Sequence, residues 1–148
     1  MIRSRICLFL MLLISTPAFA AGPMIRDAWV RQPPPGANAA GYLTLHNPGP
    51  KALHIVGARS PACARAELHR TVVEGDVARM SRADRLEVPA GGELVLAPRG
   101  LHLMLFEPKP MRPGDQVELI LELEGGETVS TRAEVRKQAP AAEHHGHH

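Results

Sequence analysis

Four histidines lie before the C-terminal tail of the 148-residue chain, His46, His54, His69 and His102, and four methionines follow residue 20: Met24, Met80, Met104 and Met111. Two of each fall in one spaced array, His69-x10-Met80-x21-His102-x-Met104. Thioether sulfur is soft and uncharged, a poor ligand for Zn²⁺, Mg²⁺ or Ca²⁺, whereas Cu(I) accepts both thioether and imidazole. The set contains no anionic donor, so it suits a singly charged ion better than a doubly charged one. Methionine forms no disulfide in an oxidising compartment, although conversion to the sulfoxide would disable it as a ligand.

Strands would position these donors. Alternate residues of a strand share a face, so His102 and Met104 project together with Leu103 turned inward. His69 ends Ala66-Glu67-Leu68-His69, and Met80 follows the Glu74-Gly75-Asp76 turn, so the two belong to neighbouring strands of one hairpin that can face the first pair. Four donors from two local units need little chain closure.

The rest of the chain reads as all-β. Glycine and proline punctuate it about every eight to twelve residues, with short apolar alternations between them. Expected strands cover 25–31, 40–46, 52–60, 65–73, 77–80, 93–98, 101–106, 116–124 and 128–135. In the clearest of them Val117, Leu119, Leu121 and Leu123 share a face and the glutamates alternate with them. Asn47-Pro48-Gly49-Pro50 should reverse the chain, and Gly91-Gly92 and Gly125-Gly126 should break hairpins. Trp29 and Tyr42, nearly the only large aromatics, are expected to anchor the core, and Met111 to pack. His46 and His54, flanking the first turn, could pair across a hairpin; with no thioether near them in the sequence they read as surface residues.

The array His69-x10-Met80-x21-His102-x-Met104 resembles the signature of the periplasmic copper chaperones called PCu(A)C. So do Ala66-Glu67-Leu68-His69, Glu74-Gly75-Asp76-Val77, Pro89-Ala90-Gly91-Gly92 and Leu101-His102-Leu103-Met104-Leu105. The resemblance runs from about Trp29 to about Val135. It implies a cupredoxin-like Greek-key β-sandwich or barrel with an exposed Cu(I) site, held by the four array residues. It also implies delivery of copper to the CuA centre of cytochrome c oxidase, often alongside a thiol-based chaperone. Some relatives carry a second methionine directly after the first histidine, where this chain has Arg70. Histidine-rich C-terminal extensions in parts of the family are associated with Cu(II), which would fall here on His144, His145, His147 and His148.

Residues 1–20 read as an export signal: Arg3 and Arg5, the apolar run Cys7–Ile14, then Pro17-Ala18-Phe19-Ala20 as a small-residue cleavage site. The run falls well short of the roughly 20 apolar residues of a membrane-spanning helix. The expected organisation is a signal peptide at 1–20, one domain at 21–137 and a flexible tail at 138–148, with a periplasmic, monomeric mature protein. Without the leader the chain keeps 15 basic and 15 acidic residues, a balance that excludes nucleic acid or an anionic membrane as partner. Cys63 is then the only cysteine, so no internal disulfide or dithiol motif exists, and it is expected as a small core residue. The tail histidines can supply the nitrogen ligands that Cu(II) prefers.

Two other classes compete with the copper carrier. A blue-copper electron carrier needs a thiolate with two histidines and a methionine, and Cys63 is its sole candidate, placed too early in the chain. An exported β-sandwich binding metal only through its tail would not need Met80 or Met104. No catalytic motif marks an enzyme: there is no serine–histidine–acid set, no phosphate-binding glycine loop and no zinc-hydrolase helix motif.

Overall fold

The computed structural model describes residues 21–139; the expected signal peptide at 1–20 and the histidines at 144, 145, 147 and 148 lie outside them. The described residues form ten strands and no helix: β1 (Met24–Arg31), β2 (Ala39–His46), β3 (Leu53–Arg59), β4 (Cys63–Glu74), β5 (Val77–Arg82), β6 (Leu86–Val88), β7 (Glu93–Leu96), β8 (Leu101–Pro108), β9 (Gln116–Leu123) and β10 (Thr128–Arg136). Hydrogen bonding runs β4-β8-β2-β1-β10-β9-β3 and returns to β4, closing a seven-stranded barrel. The last seam is a single ladder pair of small residues, Ala58 with Ala66. β1 and β10 pair in parallel, bringing the first and last strands together. β5 extends the sheet beyond β4, and β7 pairs with the second half of β2.

Period-two patterning explains the barrel wall. Leu103, Leu105, Leu119, Leu121 and Leu43 are fully buried, and Met111 joins this core as expected. β6, with Leu86 and Val88 inward and Glu87 outward, went unrecognised because three residues make too short an alternation to stand out. β4, β5 and β8 each run past their expected ends.

Two expectations need correction. Trp29 and Tyr42 are buried, yet they lie outside the apolar core. They pair across β1 and β2 on the outer face, their rings 4.6 Å apart, with the Arg31 guanidinium 5.8 and 5.7 Å from the two ring centres. Their inward-facing neighbours, Val30 and Leu43, are what fill the barrel. His46 and His54 do not pair with each other, because the Asn47–Pro50 turn joins β2 to β3, which are not neighbours in the sheet. Asn47 is itself a buried turn anchor: its side-chain amide donates to the Lys51 carbonyl at 2.8 Å and its oxygen accepts from the Gly49 N–H at 3.0 Å.

The two turns next to the array differ in kind. The β4–β5 hairpin turns on Gly75 and Asp76, with Gly75 at φ 59°, where a residue without Cβ is favoured. Before β8, the turn Ala97-Pro98-Arg99-Gly100 is closed by the Gly100 N–H on the Ala97 carbonyl at 3.1 Å. Its third residue, Arg99, sits at φ 67°, a position such turns normally give to glycine. An L-residue with a Cβ there costs about 1–2 kcal/mol.

Two stability predictions follow from this wall and this turn. Leu121→Ala should lower the unfolding free energy by about 2–5 kcal/mol in urea titration, through lost burial and a residual cavity. Arg99→Gly should raise it by about 0.5–1 kcal/mol, the relieved backbone strain less the greater entropy of glycine in the unfolded chain; a lower midpoint would refute the strain.

Candidate metal centre

The four array residues emerge on the outer face of β5, β4 and β8. Along β8, Leu101, Leu103 and Leu105 have inward parity, so His102, Met104 and Phe106 point outward. The β4–β8 ladder sets His69 directly opposite His102, Glu67 opposite Met104 and Arg65 opposite Phe106. The β4–β5 ladder sets Met80 opposite Thr71 and Arg82 opposite His69. Residues directly opposite share a face, so all four donors lie on the same side of the sheet.

The two imidazoles form the centre of the patch, their ring centres 6.0 Å apart. A ring bound through one nitrogen has its centre about 3 Å from the ion, so two rings sharing an ion have centres about 5–6 Å apart. Met104 is two residues along β8 from His102, a spacing of about 7 Å. Met80 is the diagonal neighbour of His69, at about 7–8 Å, still within reach of a long side chain. The two methionines flank the histidine pair on opposite sides. On a flat sheet their backbones would be about 17 Å apart, two strands and two alternate-residue steps away. His69, His102 and Met104 therefore make the compact part of the site. For Met80 to join them on one ion, the β4–β5 hairpin must curl toward β8. Met80 is 52% exposed, on a strand exposed along its whole length, so it is only loosely held.

Hydrogen bonding prepares both rings in the same way. His102 is only 5% exposed, and its Nδ1–H donates to the Gly100 carbonyl at 3.1 Å. A carbonyl cannot donate, so the lone pair falls on Nε2. Burial, and to a lesser degree the nearby His69, push the His102 pKa down and favour the neutral ring a metal requires. His69 donates its Nε2–H to the Glu67 carboxylate at 2.9 Å, while its Nδ1 is buried with no hydrogen-bond partner. Each ring is thus held through one nitrogen, the arrangement that commonly orients metal-binding imidazoles.

Glu67 is a supporting residue that spacing alone did not single out. The hydrogen bond from His69 does most to hold its carboxyl below the usual range, with help from Arg65 at 2.8 Å and Arg82 at 3.6 Å. Phe106 forms a wall with its ring centre 5.9 Å from that of His69, and the Arg65 guanidinium lies 4.2 Å from the centre of the Phe106 ring. Glu67 is two residues before His69 and Phe106 two after Met104. The parity that groups the ligands would have found both.

Cys63 stands outside this patch. It is six residues before His69 on β4, about 20 Å away along a strand. Burial raises its pKa, which favours the protonated thiol. A blue-copper arrangement therefore has no geometry here. Among the described residues no three histidine, cysteine, aspartate or glutamate side chains gather to hold a metal. No helix of the described residues is long and apolar enough to cross a membrane.

Three comparisons place this barrel among known proteins. A putative lipoprotein of Leifsonia xyli subsp. xyli is 32% identical over 128 residues, which span 85% of this chain and 76% of that one. The solution structure of CuI-DR1885 from Deinococcus radiodurans is 33% identical, with 81% of this chain and 82% of that one covered and a TM-score of 0.65. The copper-bound PCuAC domain from PmoF2 shares the fold at a TM-score of 0.65 and 24% identity, over 82% of this chain and 96% of that domain. The family model described as putative lipoprotein LpqE-like matches residues 24–135, from the first strand to the last, and the chain belongs to that family.

Proposed function

We propose that this protein is a periplasmic copper chaperone that carries Cu(I) on His69, Met80, His102 and Met104 and passes it to a copper-accepting protein. The observation that carries the reading is the cross-strand pair His69–His102, each ring anchored through one nitrogen, with both thioethers on the same face. Copper-bound relatives on the same barrel support it.

The donor set explains both holding and release. Two imidazoles and two thioethers are neutral and leave the complex with the single charge of the ion, while their softness favours Cu(I) over divalent competitors. His69 and His102 are fixed by the sheet register and by Glu67 and the Gly100 carbonyl. Met80, on an exposed edge strand, is the donor most easily displaced. An incoming donor from the acceptor would replace Met80 first, and the remaining ligands would follow one at a time without a buried charge being stranded. The acceptor in this reading is the CuA centre of cytochrome c oxidase, with a thiol-based chaperone as companion. His144, His145, His147 and His148 would bind Cu(II) separately, and residues 1–20 would direct export and be removed.

Competition against a colorimetric Cu(I) chelator, in a chain ending at Gln138, tests the site. Met104→Leu should weaken Cu(I) binding by at least the roughly 10–100-fold that loss of even an outer-shell partner causes. Met80→Leu should weaken it less and speed transfer to the chelator. X-ray absorption should count two sulfur neighbours in the parent chain and one in each variant. Unchanged affinity in the double variant would end the reading. Comparing Cu(II) stoichiometry of full-length and shortened chains tests the tail, which should account for the difference.

A further inference from the structure

We infer that Met24, His46 and Glu93 form a second, separate site for a soft monovalent metal ion, at the far end of β2. The ladders place the three in one row across three strands: Met24 opposite His46 between β1 and β2, and His46 opposite Glu93 between β2 and β7. Leu45 and Leu94 turn inward, so the row lies on the outer face. The sequence hid this thioether, because Met24 and His46 are 22 positions apart and only the β1–β2 register joins them.

His46 shows the mark of an incomplete donor set. Its Nδ1 is buried without a hydrogen-bond partner, and the nearest carboxylate oxygen, of Glu93, is 3.6 Å away. That separation is beyond a hydrogen bond. It matches two donors each about 2.1 Å from a shared ion, with an angle near 120° between them. Leaving a buried polar atom unsatisfied is unfavourable, and an ion between Nδ1 and Glu93 would remove that cost. Met24 is 48% exposed, free to swing its sulfur onto the third position.

Charge selects the class of ion. The Glu93 oxygen that faces His46 Nδ1, Oε1, is the one paired with the Arg26 guanidinium, so it would bind an ion through its remaining lone pair, and the nearby positive charge disfavours a dication. The two remaining donors are neutral, and one is a thioether, so the set fits Cu(I) or its redox-inert analogue Ag(I). His54 makes the contrast. Its Nε2 lies 3.3 Å from Glu87, the residue opposite it on β6, and its Nδ1 3.3 Å from Glu124, so carboxylates and no thioether stand beside this ring. The second site is about 20 Å from Met104, the six-residue length of β2 from Ala40 to His46. It does not depend on the function of the His69 site.

The test is a titration of the full chain with Ag(I), followed by NMR of ¹³C-methyl-labelled methionine. The Met80 and Met104 methyls should respond to one equivalent, and the Met24 methyl to a further one. Met24→Leu should abolish the further step, and His46→Gln should remove the Met24 response, with the Met80 and Met104 response unchanged in both. A Met24 methyl that stays still, or that shifts equally in His46→Gln, would overturn the second site. Silent Met80 and Met104 methyls would count against the chaperone site alone. Both substitutions are at the surface, and methyl dispersion in the same spectra reports folding.

Discussion

Everything at the candidate centre depends on the register between β4 and β8. These strands are not a hairpin, and His69 and His102 are brought opposite each other only because Leu68 faces Leu103 and Ala66 faces Leu105 on the inner side. Leu68, Leu103 and Leu105 are almost wholly buried, and each contributes about 1.5–3 kcal/mol by leaving water. A slip of one residue would turn those leucines outward and drive His102 and Met104 into the core. The apolar face thus enforces the geometry of the polar one, and no interaction between the donors is needed to align them.

The same wall fixes the chemistry of each ring. The turn ending at Gly100 points its carbonyl at His102 and also accepts the Thr71 N–H at 3.0 Å, so one peptide unit locks the end of β8 to β4 and sets a tautomer. Arg99 bears the conformational strain of that turn. Glu67 acts on His69 in the corresponding way, and that same hydrogen bond, with Arg65 and Arg82 behind it, holds the carboxyl below the usual range. Beyond β4 the support weakens: β5 pairs on one side only, and Met80 is only loosely held. Rigidity therefore falls across the patch from His102 to Met80, which a carrier needs if it is to bind and yet let go.

The strands and the ligand pattern were legible in the sequence because both follow a period of two. Val117–Leu123 announces a wall, and His102-x-Met104 announces a shared face. What stayed hidden depends on pairings between distant segments. Nothing local says that Met24 meets His46, that His54 meets Glu124, or that Trp29 and Tyr42 stack outside the barrel and not within it. Aromatic size suggested a core role, but strand parity had already given the inward positions to Val30 and Leu43. The distance between Met80 and Met104 was equally invisible, since residue spacing says nothing of how far a hairpin curls.

Residue type alone does not separate a structural histidine from a ligand; the occupancy of its two nitrogens does. His54 on β3 has a carboxylate 3.3 Å from each nitrogen, Glu87 of β6 and Glu124 just after β9. His102 is tied through Nδ1 and keeps the Nε2 lone pair, His69 is tied through Nε2 and leaves Nδ1 without a partner, and His46 also has an unpartnered Nδ1. A buried unpartnered nitrogen costs about 1–3 kcal/mol, so a fold that keeps two of them carries a standing deficit. In each case a methionine lies on the same outer face, directly opposite or one diagonal step away. A soft ion would cancel the deficit and use the sulfur at once, whereas a proton or a water molecule would answer only the nitrogen.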